Sequence, residues 1–503
     1  MPPKYCDECR PPKYCDKHQG PRSHDLVVIV PGIMGSRLTD TTTGAALWGF
    51  NDLSWYVRAW TTGSGLADLH LTDAERAGRY GRVQATGLLS VPAFARGLGG
   101  TVPYERLVKA VRTVVHHPEV QVVEFPYDWR LPVAHNAGLL AERMVTTLAE
   151  WRADPRHQQA RREHPDGRAA RIVIVAHSMG GLLARYLTRI PGVTDDVRDT
   201  ITLGTPFYGS VKAITMINTG RGAPVPLPAR RPLRYAWQER ADEGVRRLAA
   251  SLPGLHDLLP VYRCLNDGPT SRRPTHADLV DIGADPALAA DGASLHEQLA
   301  GRSLPEHRCV VGTAQPTPQS FTITDGVVTA ENRLLVDRLD GLRWEDAGGD
   351  GTVYRGAATL ADASRRSHNY LPQQHGALAC TDEASAYVRA VITEQDPDLL
   401  GPPMAAGDLG VDAPDLVLPN EEFAATITGI TRPRQATCRV FDAGGGRQLD
   451  LAPIEARDGT LCAVITVPGP GMYRLEIGGS GYSPVERLLL AADPTLPVQD
   501  GTP

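Results

Sequence analysis

The sequence contains no long apolar run. No stretch of 18 apolar residues occurs in its 503 residues, so we predict no membrane-spanning helix. Residues 1–24 have no apolar core of the kind that a secretory signal needs. We therefore expect a cytoplasmic protein, which could still bind the surface of a membrane.

An excess of positive charge is also absent. The chain has 52 Lys and Arg against 58 Asp and Glu, a net charge of −6. Because nucleic-acid-binding domains are usually basic, we predict no nucleic-acid partner. Hydrophobic residues make up 42% and charged residues 22%, which is typical of a folded globular protein.

Cysteine is scarce. Eight cysteines in 503 residues are too few for a disulfide scaffold. Three of them and a histidine follow the pattern C-x2-C-x5-C-x2-H near the N-terminus, namely Cys6, Cys9, Cys15 and His18. These ligands could close a tetrahedral structural zinc site, which would leave no open position for chemistry. The alternative is a disordered tail in which PPKYCD is duplicated by chance.

From residue 25 onward, strand and helix patterns alternate. Apolar, β-branched runs at 25–30, 119–124, 171–176, 197–203 and 308–312 are typical of strands buried on both faces of a parallel sheet. Helical periodicity occurs at 104–115, 137–151, 179–190 and 383–393. The alternation predicts an α/β core over residues 25–395 with a doubly wound, mostly parallel sheet.

Two stretches interrupt this core. Residues 45–100 are rich in loops and aromatic side chains. Residues 210–306 are first rich in Pro and Arg and then helical. We interpret both as cap and lid insertions that cover a site.

The C-terminal part has a different pattern. After a Pro- and Gly-rich linker at 396–415, short alternating runs occur at 423–428, 437–441, 461–467, 473–477 and 485–491. This spacing predicts a small all-β, sandwich-like domain over 416–492, followed by a tail at 493–503. Cys438 and Cys462 fall in different predicted strands, where we expect buried thiols rather than a disulfide.

The sharpest chemical signal is the segment Ala176-His177-Ser178-Met179-Gly180. A buried strand runs into Ser178 and a helical pattern begins at once, which is typical of a nucleophile elbow with Ala in place of the first Gly. The following helix would direct free N–H groups and its positive dipole end at the site. We predict that Ser178 is a nucleophile and that His177 packs or forms hydrogen bonds; a merely structural turn is the alternative.

A serine hydroxyl needs a base to take its proton. In α/β-hydrolases an acid and then a histidine follow the serine in chain order. Asp350, between glycines, and His375, before the last predicted helix, fit that order, with Asp346 and His368 as second choices. Asp350 would hold the imidazole tautomer, while His375 would be general base and then general acid.

Acyl transfer also needs hydrogen-bond donors for an oxyanion, but no cofactor. The turn at 30–35 follows the first strand, and its glycines allow the backbone to approach the site. We assign the oxyanion hole to the backbone N–H groups of Met179 and of Ile33 or Met34. A simple strand-ending turn is the alternative.

Six motifs, in their order along the chain, resemble the lecithin:cholesterol acyltransferase family, which includes lysosomal phospholipase A2 and phospholipid:diacylglycerol acyltransferase. They are Val-Pro-Gly-Ile-Met-Gly-Ser-Arg-Leu (30–38), Leu-Trp-Gly (47–49), Phe-Pro-Tyr-Asp-Trp-Arg (125–130), Ala-His-Ser-Met-Gly-Gly (176–181), Thr-Leu-Gly-Thr-Pro-Phe-Tyr-Gly-Ser (202–210) and Gly-Asp-Gly-Thr-Val (349–353). The resemblance implies an α/β-hydrolase core with cap and lid that acts on acyl esters of lipids. It makes Ser178 the nucleophile, Asp350 the acid, His375 the base and Met34 an oxyanion donor.

The same resemblance places a lipid-facing segment at the aromatic stretch of residues 48–60. Trp48, Trp55 and Trp60 could therefore contact a membrane surface, although packing inside the cap explains them equally well. The N-terminal Cys/His tail and the C-terminal β-domain are not part of the family core. Water is therefore a plausible acyl acceptor beside an alcohol.

These observations predict a serine-dependent lipid acyl hydrolase or O-acyltransferase that works through an acyl-enzyme on Ser178. One alternative is a hydrolase of amide or lipid-anchor substrates. Another is a hydrolase effector that its accessory domains recruit, in which case the C-terminal β-domain would bind a protein partner and turnover would survive removal of 410–503.

Overall fold

The computed structural model describes residues 20–50, 55–56, 59, 65–95, 99–220, 232–338, 341–360, 367–397, 408–479 and 482–492. The candidate zinc ligands Cys6, Cys9, Cys15 and His18 lie outside these residues, as does the tail at 493–503, and both stay predictions. In these ranges no helix combines the length and the apolar character that crossing a bilayer requires.

A six-stranded sheet forms the centre of the structure. Its strands are β1 (Leu26–Val30), β2 (Val122–Glu124), β3 (Ile172–His177), β4 (Val197–Leu203), β5 (His307–Gly312) and β6 (His368–Leu371). They lie in the order β2-β1-β3-β4-β5-β6, and every neighbouring pair is parallel. All residues of β1 and β3 are buried, as strands covered on both faces should be. The predicted parallel sheet is therefore confirmed.

Helices connect and cover these strands. Glu105–Arg112 buries Leu107, Ala110 and Val111, which recur at helical spacing and face the core. The described α-helices are Asp73–Arg76, Glu105–Arg112, Pro118–Gln121, Val133–Ala153, Pro155–Glu163, Gly180–Tyr186, Val211–Thr219, Pro232–Ser251, Pro253–His256, His276–Asp281, Pro286–Leu299, His375–Leu378 and Asp382–Ile392. Short 3-10 turns occur at Ala67–Leu69, Leu187–Arg189, Arg355–Ala358 and Pro433–Gln435.

The segment 119–124, predicted as one strand, is half helical. Its first residues belong to the helix Pro118–Gln121, and only Val122–Glu124 is strand. Pro118 at the first helical position favours the helical turn. The buried Gln121 side chain then donates to the carbonyl oxygens of Ser23 (3.0 Å) and Asp25 (2.9 Å), which ties the turn to the start of β1.

The insertion at 45–100 has more regular structure than a run of loops. Strands Ser36–Asp40, Ala46–Trp48 and Val83–Leu88 form an antiparallel sheet, and Ala93–Ala95 pairs with Gly99–Thr101. Further strands lie within and after the second insertion. They are Leu265–Asp267, Thr270–Arg272, Ser320–Thr324 and Val327–Glu331 in one sheet, and the hairpin Leu334–Arg338 with Gly341–Glu345.

A buried ionic network ties the first insertion to the core. The Arg130 guanidinium, 0% exposed, donates to both carboxylate oxygens of Asp128 (2.9 and 2.7 Å) and to Glu75 Oε1 (2.8 Å). Arg82 then bridges Glu75 and Asp40 at 3.1 and 3.2 Å. Each carboxylate in this network has a cationic partner, which offsets the cost of its burial.

The C-terminal β-region consists of two facing sheets with their own buried cluster, which includes Val440, Ile465 and Leu475. One sheet contains Gly410–Asp412, Glu422–Thr428, Thr460–Thr466 and Ile454–Arg457; the other contains Leu416–Val417, Tyr482–Ala491, Gly471–Gly479, Thr437–Asp442 and Gln448–Ala452. The strand Gly410–Asp412 lies inside the segment 396–415 that was predicted as a linker, and it pairs antiparallel with Glu422–Thr428. Cys438 and Cys462 are buried free thiols in different sheets.

Candidate active site

Ser178 lies at the sharp turn between the central strand β3 and the helix Gly180–Tyr186. Its φ is +52°, in the left-handed region that a non-glycine residue rarely adopts. The backbone beside the serine is closely packed, and a Cβ at Gly180 would lie 2.4 Å from the Pro31 carbonyl oxygen. A Cβ at Gly32 would lie 2.8 Å from Ser178 Cβ. Glycine at both positions therefore lets the β1 turn approach the serine closely.

The structure brings the three predicted triad side chains together. His375 Nε2 lies 2.8 Å from Ser178 Oγ, and His375 Nδ1 lies 2.7 Å from Asp350 Oδ2. Because a carboxylate only accepts hydrogen bonds, Nδ1 carries the proton and the Nε2 lone pair faces the serine hydroxyl. This arrangement can remove a proton from Ser178.

Asp350 is completely buried and held by its own loop. Its Oδ1 accepts the backbone N–H groups of Thr352 (2.9 Å) and Val353 (2.7 Å), which leaves Oδ2 for the imidazole of His375. The His375 N–H also donates to the Asp350 carbonyl oxygen at 2.8 Å. Asp350 and His375 are therefore joined through both main chain and side chain.

The two second choices lie elsewhere. Asp346 accepts hydrogen bonds from Gln319 Nε2 (2.6 Å) and from the Gly348 N–H (2.7 Å). His368 is in β6, and its Nε2 accepts the Leu360 N–H at 3.2 Å. Neither residue takes part in the hydrogen-bonded chain that reaches the serine.

The predicted oxyanion donors lie in the two turns beside the serine. Among the described residues, the N–H groups of Ile33, Met34 and Met179 have no protein acceptor. The Gly32 N–H, by contrast, donates to the Tyr104 hydroxyl at 2.9 Å. Met34, at φ +60°, lines the same cavity as the serine, as does Ile33. These N–H groups are therefore free to donate a hydrogen bond beside the serine, and their role as oxyanion donors stays a prediction.

Tyr104, which sequence reasoning missed, connects the turn after β1 to His177, the residue before Ser178. The Tyr104 hydroxyl lies 2.8 Å from His177 Nδ1, and His177 Nε2 lies 3.0 Å from the His375 carbonyl oxygen. Burial is the main cause that lowers the pKa of His177 to about 3, so the ring is neutral at neutral pH. A neutral ring that donates from Nε2 accepts at Nδ1, so Tyr104 is the donor. No sequence motif distinguishes this tyrosine.

A mostly apolar cavity opens at the serine. Its walls come from the β1 turn, the first insertion and the segment after β4, and include Ile33, Met34, Trp48, Ala93, Pro206, Ala213, Leu255, Leu258 and Val353. Lys212 also lines it, and burial lowers the pKa of its ammonium group. Sequence reasoning missed this lysine. A cavity with these walls suits an apolar chain attached to a reactive carbonyl.

Of the two roles left open for Trp48, membrane contact and packing inside the cap, the structure shows packing and excludes exposure to a membrane surface. The side chain is 1% exposed, packs edge-to-face against Trp55, Tyr56 and Trp129, and donates from Nε1 to the Met34 carbonyl oxygen at 2.8 Å. Trp48 therefore stabilises the turn after β1 through its hydrogen bond to Met34. Trp55 is partly buried against the same core, and Trp60 lies outside the described residues.

A parallel sheet of this order, with a serine at the elbow after its central strand and an acid and a histidine from later loops, defines the α/β-hydrolase fold. The model of the lecithin:cholesterol acyltransferase family matches residues 82–234, which confirms the resemblance predicted from the motifs. No curated protein sequence matches the chain.

Solved structures also match this chain, at low sequence identity. The Tle4–Tli4 complex matches at 16% identity with a TM-score of 0.40, over 73% of this chain and 97% of that one. Bacillus licheniformis lipase BlEst2 in its propeptide form matches at 11% identity with a TM-score of 0.34, over 94% of this chain and 95% of that one.

Proposed function

We propose that the protein is a serine-dependent lipid acyl hydrolase or O-acyltransferase that works through an acyl-enzyme on Ser178. The observation that carries this proposal is the hydrogen-bonded chain from Ser178 through His375 to Asp350 at the head of an apolar cavity. The family match over residues 82–234 supports the lipid class of substrate.

In the first half-reaction, Ser178 Oγ attacks the carbonyl carbon of an acyl ester while its proton passes to His375 Nε2. Asp350 stabilises the resulting imidazolium through Nδ1. The oxyanion accepts hydrogen bonds from Met179 N–H and from Ile33 or Met34 N–H. The carbon–oxygen bond to the alcohol then breaks, and the alcohol leaves with the proton from His375.

In the second half-reaction, water or an acceptor alcohol attacks the acyl-enzyme. His375 takes the proton of the attacking oxygen and returns it to Ser178 Oγ as the acyl group departs. The products are a free fatty acid with water and a new ester with an alcohol. The step requires no cofactor.

The apolar lining argues for a long acyl chain. Side chains such as Leu255 and Leu258 offer van der Waals contact but few hydrogen bonds, so binding energy would grow with each buried methylene, by roughly 0.8 kcal/mol. We therefore expect kcat/KM for a series of soluble esters to rise from acetyl to medium-length chains.

The test is active-site labelling followed by substrate panels. A fluorophosphonate should attach covalently to Ser178, as peptide mass spectrometry of the labelled protein would reveal, and Ser178→Ala should not label. Failure of the wild-type protein to label at Ser178, under conditions where lipases react, would refute the proposal. Lipid products that differ between wild type and Ser178→Ala would identify head group, chain and acceptor.

The same panels address the alternatives left open by the sequence. Activity confined to amides or acylated peptides would favour an amide or lipid-anchor hydrolase. Recruitment by the C-terminal β-region, or by a zinc-bound N-terminal tail, stays a prediction that partner capture and elemental analysis of Cys6→Ser against wild type would test.

A further inference from the structure

Three buried glutamines surround the acid and the base. Gln373 and Gln374 directly precede His375, and Gln315 lies beside Asp350, with its N–H donating to the Gly349 carbonyl oxygen at 3.0 Å. Their exposed fractions are 2%, 9% and 1%. The amide group of a buried glutamine has two N–H donors and an acceptor oxygen, and each of them needs a hydrogen-bond partner.

On the base side, the bonds go to the last long strand of the C-terminal β-region, Tyr482–Ala491. Gln373 Nε2 donates to the Pro484 carbonyl oxygen at 3.0 Å. Gln373 Oε1 accepts the Glu486 N–H at 3.0 Å and the Gln374 N–H at 2.8 Å. One amide therefore connects this strand to the main chain immediately before His375.

On the acid side, the bonds go to the first strand of that region, Gly410–Asp412. Gln315 Oε1 accepts the Val411 N–H at 3.1 Å, and Gln315 Nε2 donates to the Leu409 carbonyl oxygen at 2.9 Å. Gln374 Nε2 closes the arrangement by donating to both Gln315 Oε1 (3.0 Å) and the Val411 carbonyl oxygen (3.1 Å). In total, five of these hydrogen bonds join the two loops to the C-terminal β-region, four to main-chain groups of its strands and one to Leu409, the residue before the first strand.

Close packing accompanies the hydrogen bonds. A Cβ at Gly376, the residue after the histidine, would lie 2.0 Å from the Gly100 carbonyl oxygen, and a Cβ at Gly100 would lie 2.2 Å from Leu488 Cβ. Leu488 belongs to the strand Tyr482–Ala491. The histidine turn, the strand Gly99–Thr101 and the C-terminal strand are therefore in direct contact, with no room for an added methyl group.

We propose that the C-terminal β-strands hold His375 and Asp350 in register with Ser178, through Gln373, Gln374 and Gln315 as positioning residues. This inference rests on the proposed function and extends it: the β-region is part of the catalytic geometry rather than a detachable recruiting module. Precise alignment matters because displacing a catalytic group by about 1 Å can cost about 100-fold in rate.

The test compares Gln373→Met and Gln374→Met with wild type in the full-length protein. Methionine keeps the side-chain volume and removes the hydrogen bonds. With a soluble p-nitrophenyl ester, we expect kcat to fall about tenfold or more while KM changes less than about threefold, because ground-state binding is untouched. The rate constant for fluorophosphonate labelling of Ser178 should fall in parallel.

Gln121→Met is the matched control. Gln121 is also fully buried, and its amide also binds main-chain groups of separate segments, but at the opposite end of the sheet from the serine. We expect the melting temperature of Gln121→Met to fall as much as that of Gln373→Met and Gln374→Met, because each variant loses buried hydrogen bonds. The kcat of Gln121→Met should stay within about twofold of wild type, because the lost hydrogen bonds lie far from the triad. If either Gln373→Met or Gln374→Met does not fold, Leu488→Ala makes the same test from the C-terminal side and should also lower kcat.

Two outcomes would overturn the inference alone: wild-type kcat and labelling in folded Gln373→Met and Gln374→Met, or an equal loss of kcat in Gln121→Met. Absence of labelling in the wild-type protein is a different result, which removes the proposed function and this inference together.

Discussion

Replacing Asp350 by Asn tests the acid of the triad without altering the shape of the site. The asparagine carbonyl oxygen can replace Asp350 Oδ1, which accepts the N–H groups of Thr352 and Val353. The loop should therefore keep its conformation. The asparagine NH₂ then takes the place of Oδ2, 2.7 Å from His375 Nδ1. Because NH₂ only donates, it selects the tautomer that accepts at Nδ1 and carries its proton at Nε2.

In that tautomer the base cannot take the serine proton. His375 Nε2, 2.8 Å from Ser178 Oγ, would present a proton rather than a lone pair. We expect kcat to fall about 10⁴-fold, as in serine proteases with the same substitution, which corresponds to about 5.5 kcal/mol of transition-state stabilisation. The melting temperature should change little.

The assay is steady-state hydrolysis of a soluble ester, with thermal melts of each variant. Asp346→Asn is the matched control, because Asp346 lies in the same loop but binds Gln319 and Gly348 instead of the histidine. Its kcat should stay close to that of wild type. The reasoning is refuted if Asp350→Asn retains more than about a tenth of wild-type activity, or if Asp346→Asn loses as much activity as Asp350→Asn.

Three further predictions concern residues around the site and in the core. Tyr104→Phe leaves the Gly32 N–H and His177 Nδ1 without partners, so thermal unfolding should show a loss of about 1–3 kcal/mol; unchanged stability would contradict the assigned hydrogen bonds. Arg130→Met removes the guanidinium partner of two buried carboxylates, Asp128 and Glu75. Denaturant titration should therefore show a loss of about 3–5 kcal/mol in the free energy of unfolding. Arg76→Met, at an exposed ion pair, is the control and should lower the free energy of unfolding by almost nothing. Burial lowers the pKa of His307 to about 3, so below about pH 6.5 the unfolded chain binds a proton at this residue that the folded chain does not. The free energy of unfolding should therefore fall as the pH decreases from about 6.5, by about 1.4 kcal/mol per pH unit for this group. In thermal melts between pH 7 and 4.5, His307→Asn should make that slope smaller.

Sequence reasoning was most successful where the signal was local. The strands β1, β3 and β4 are continuous apolar runs, and their predicted bounds agree with the observed ones to within a residue. It was less successful where burial depends on distant neighbours. Trp48 was open to either a membrane or a core role, because an aromatic side chain suits both, and only its contacts with Trp55, Tyr56 and Trp129 distinguish them.

The amino-acid sequence by itself determined the parallel sheet and the turn at Ser178, because both follow from residues adjacent in the chain: a doubly buried strand, then small residues, then a helix. The sequence also ranked Asp350 before Asp346 and His375 before His368, but only the tertiary structure shows that the first choices lie within hydrogen-bond distance of each other and of Ser178. Only the tertiary structure revealed Tyr104 and the glutamines that bind the C-terminal strands. These relations are hydrogen bonds of under 3.5 Å between segments that are far apart in sequence, as between Ser178 and His375, 197 residues apart. Short-range residue patterns do not predict such contacts between distant segments. The contacts form because the parallel sheet places the carboxyl ends of its strands at one edge.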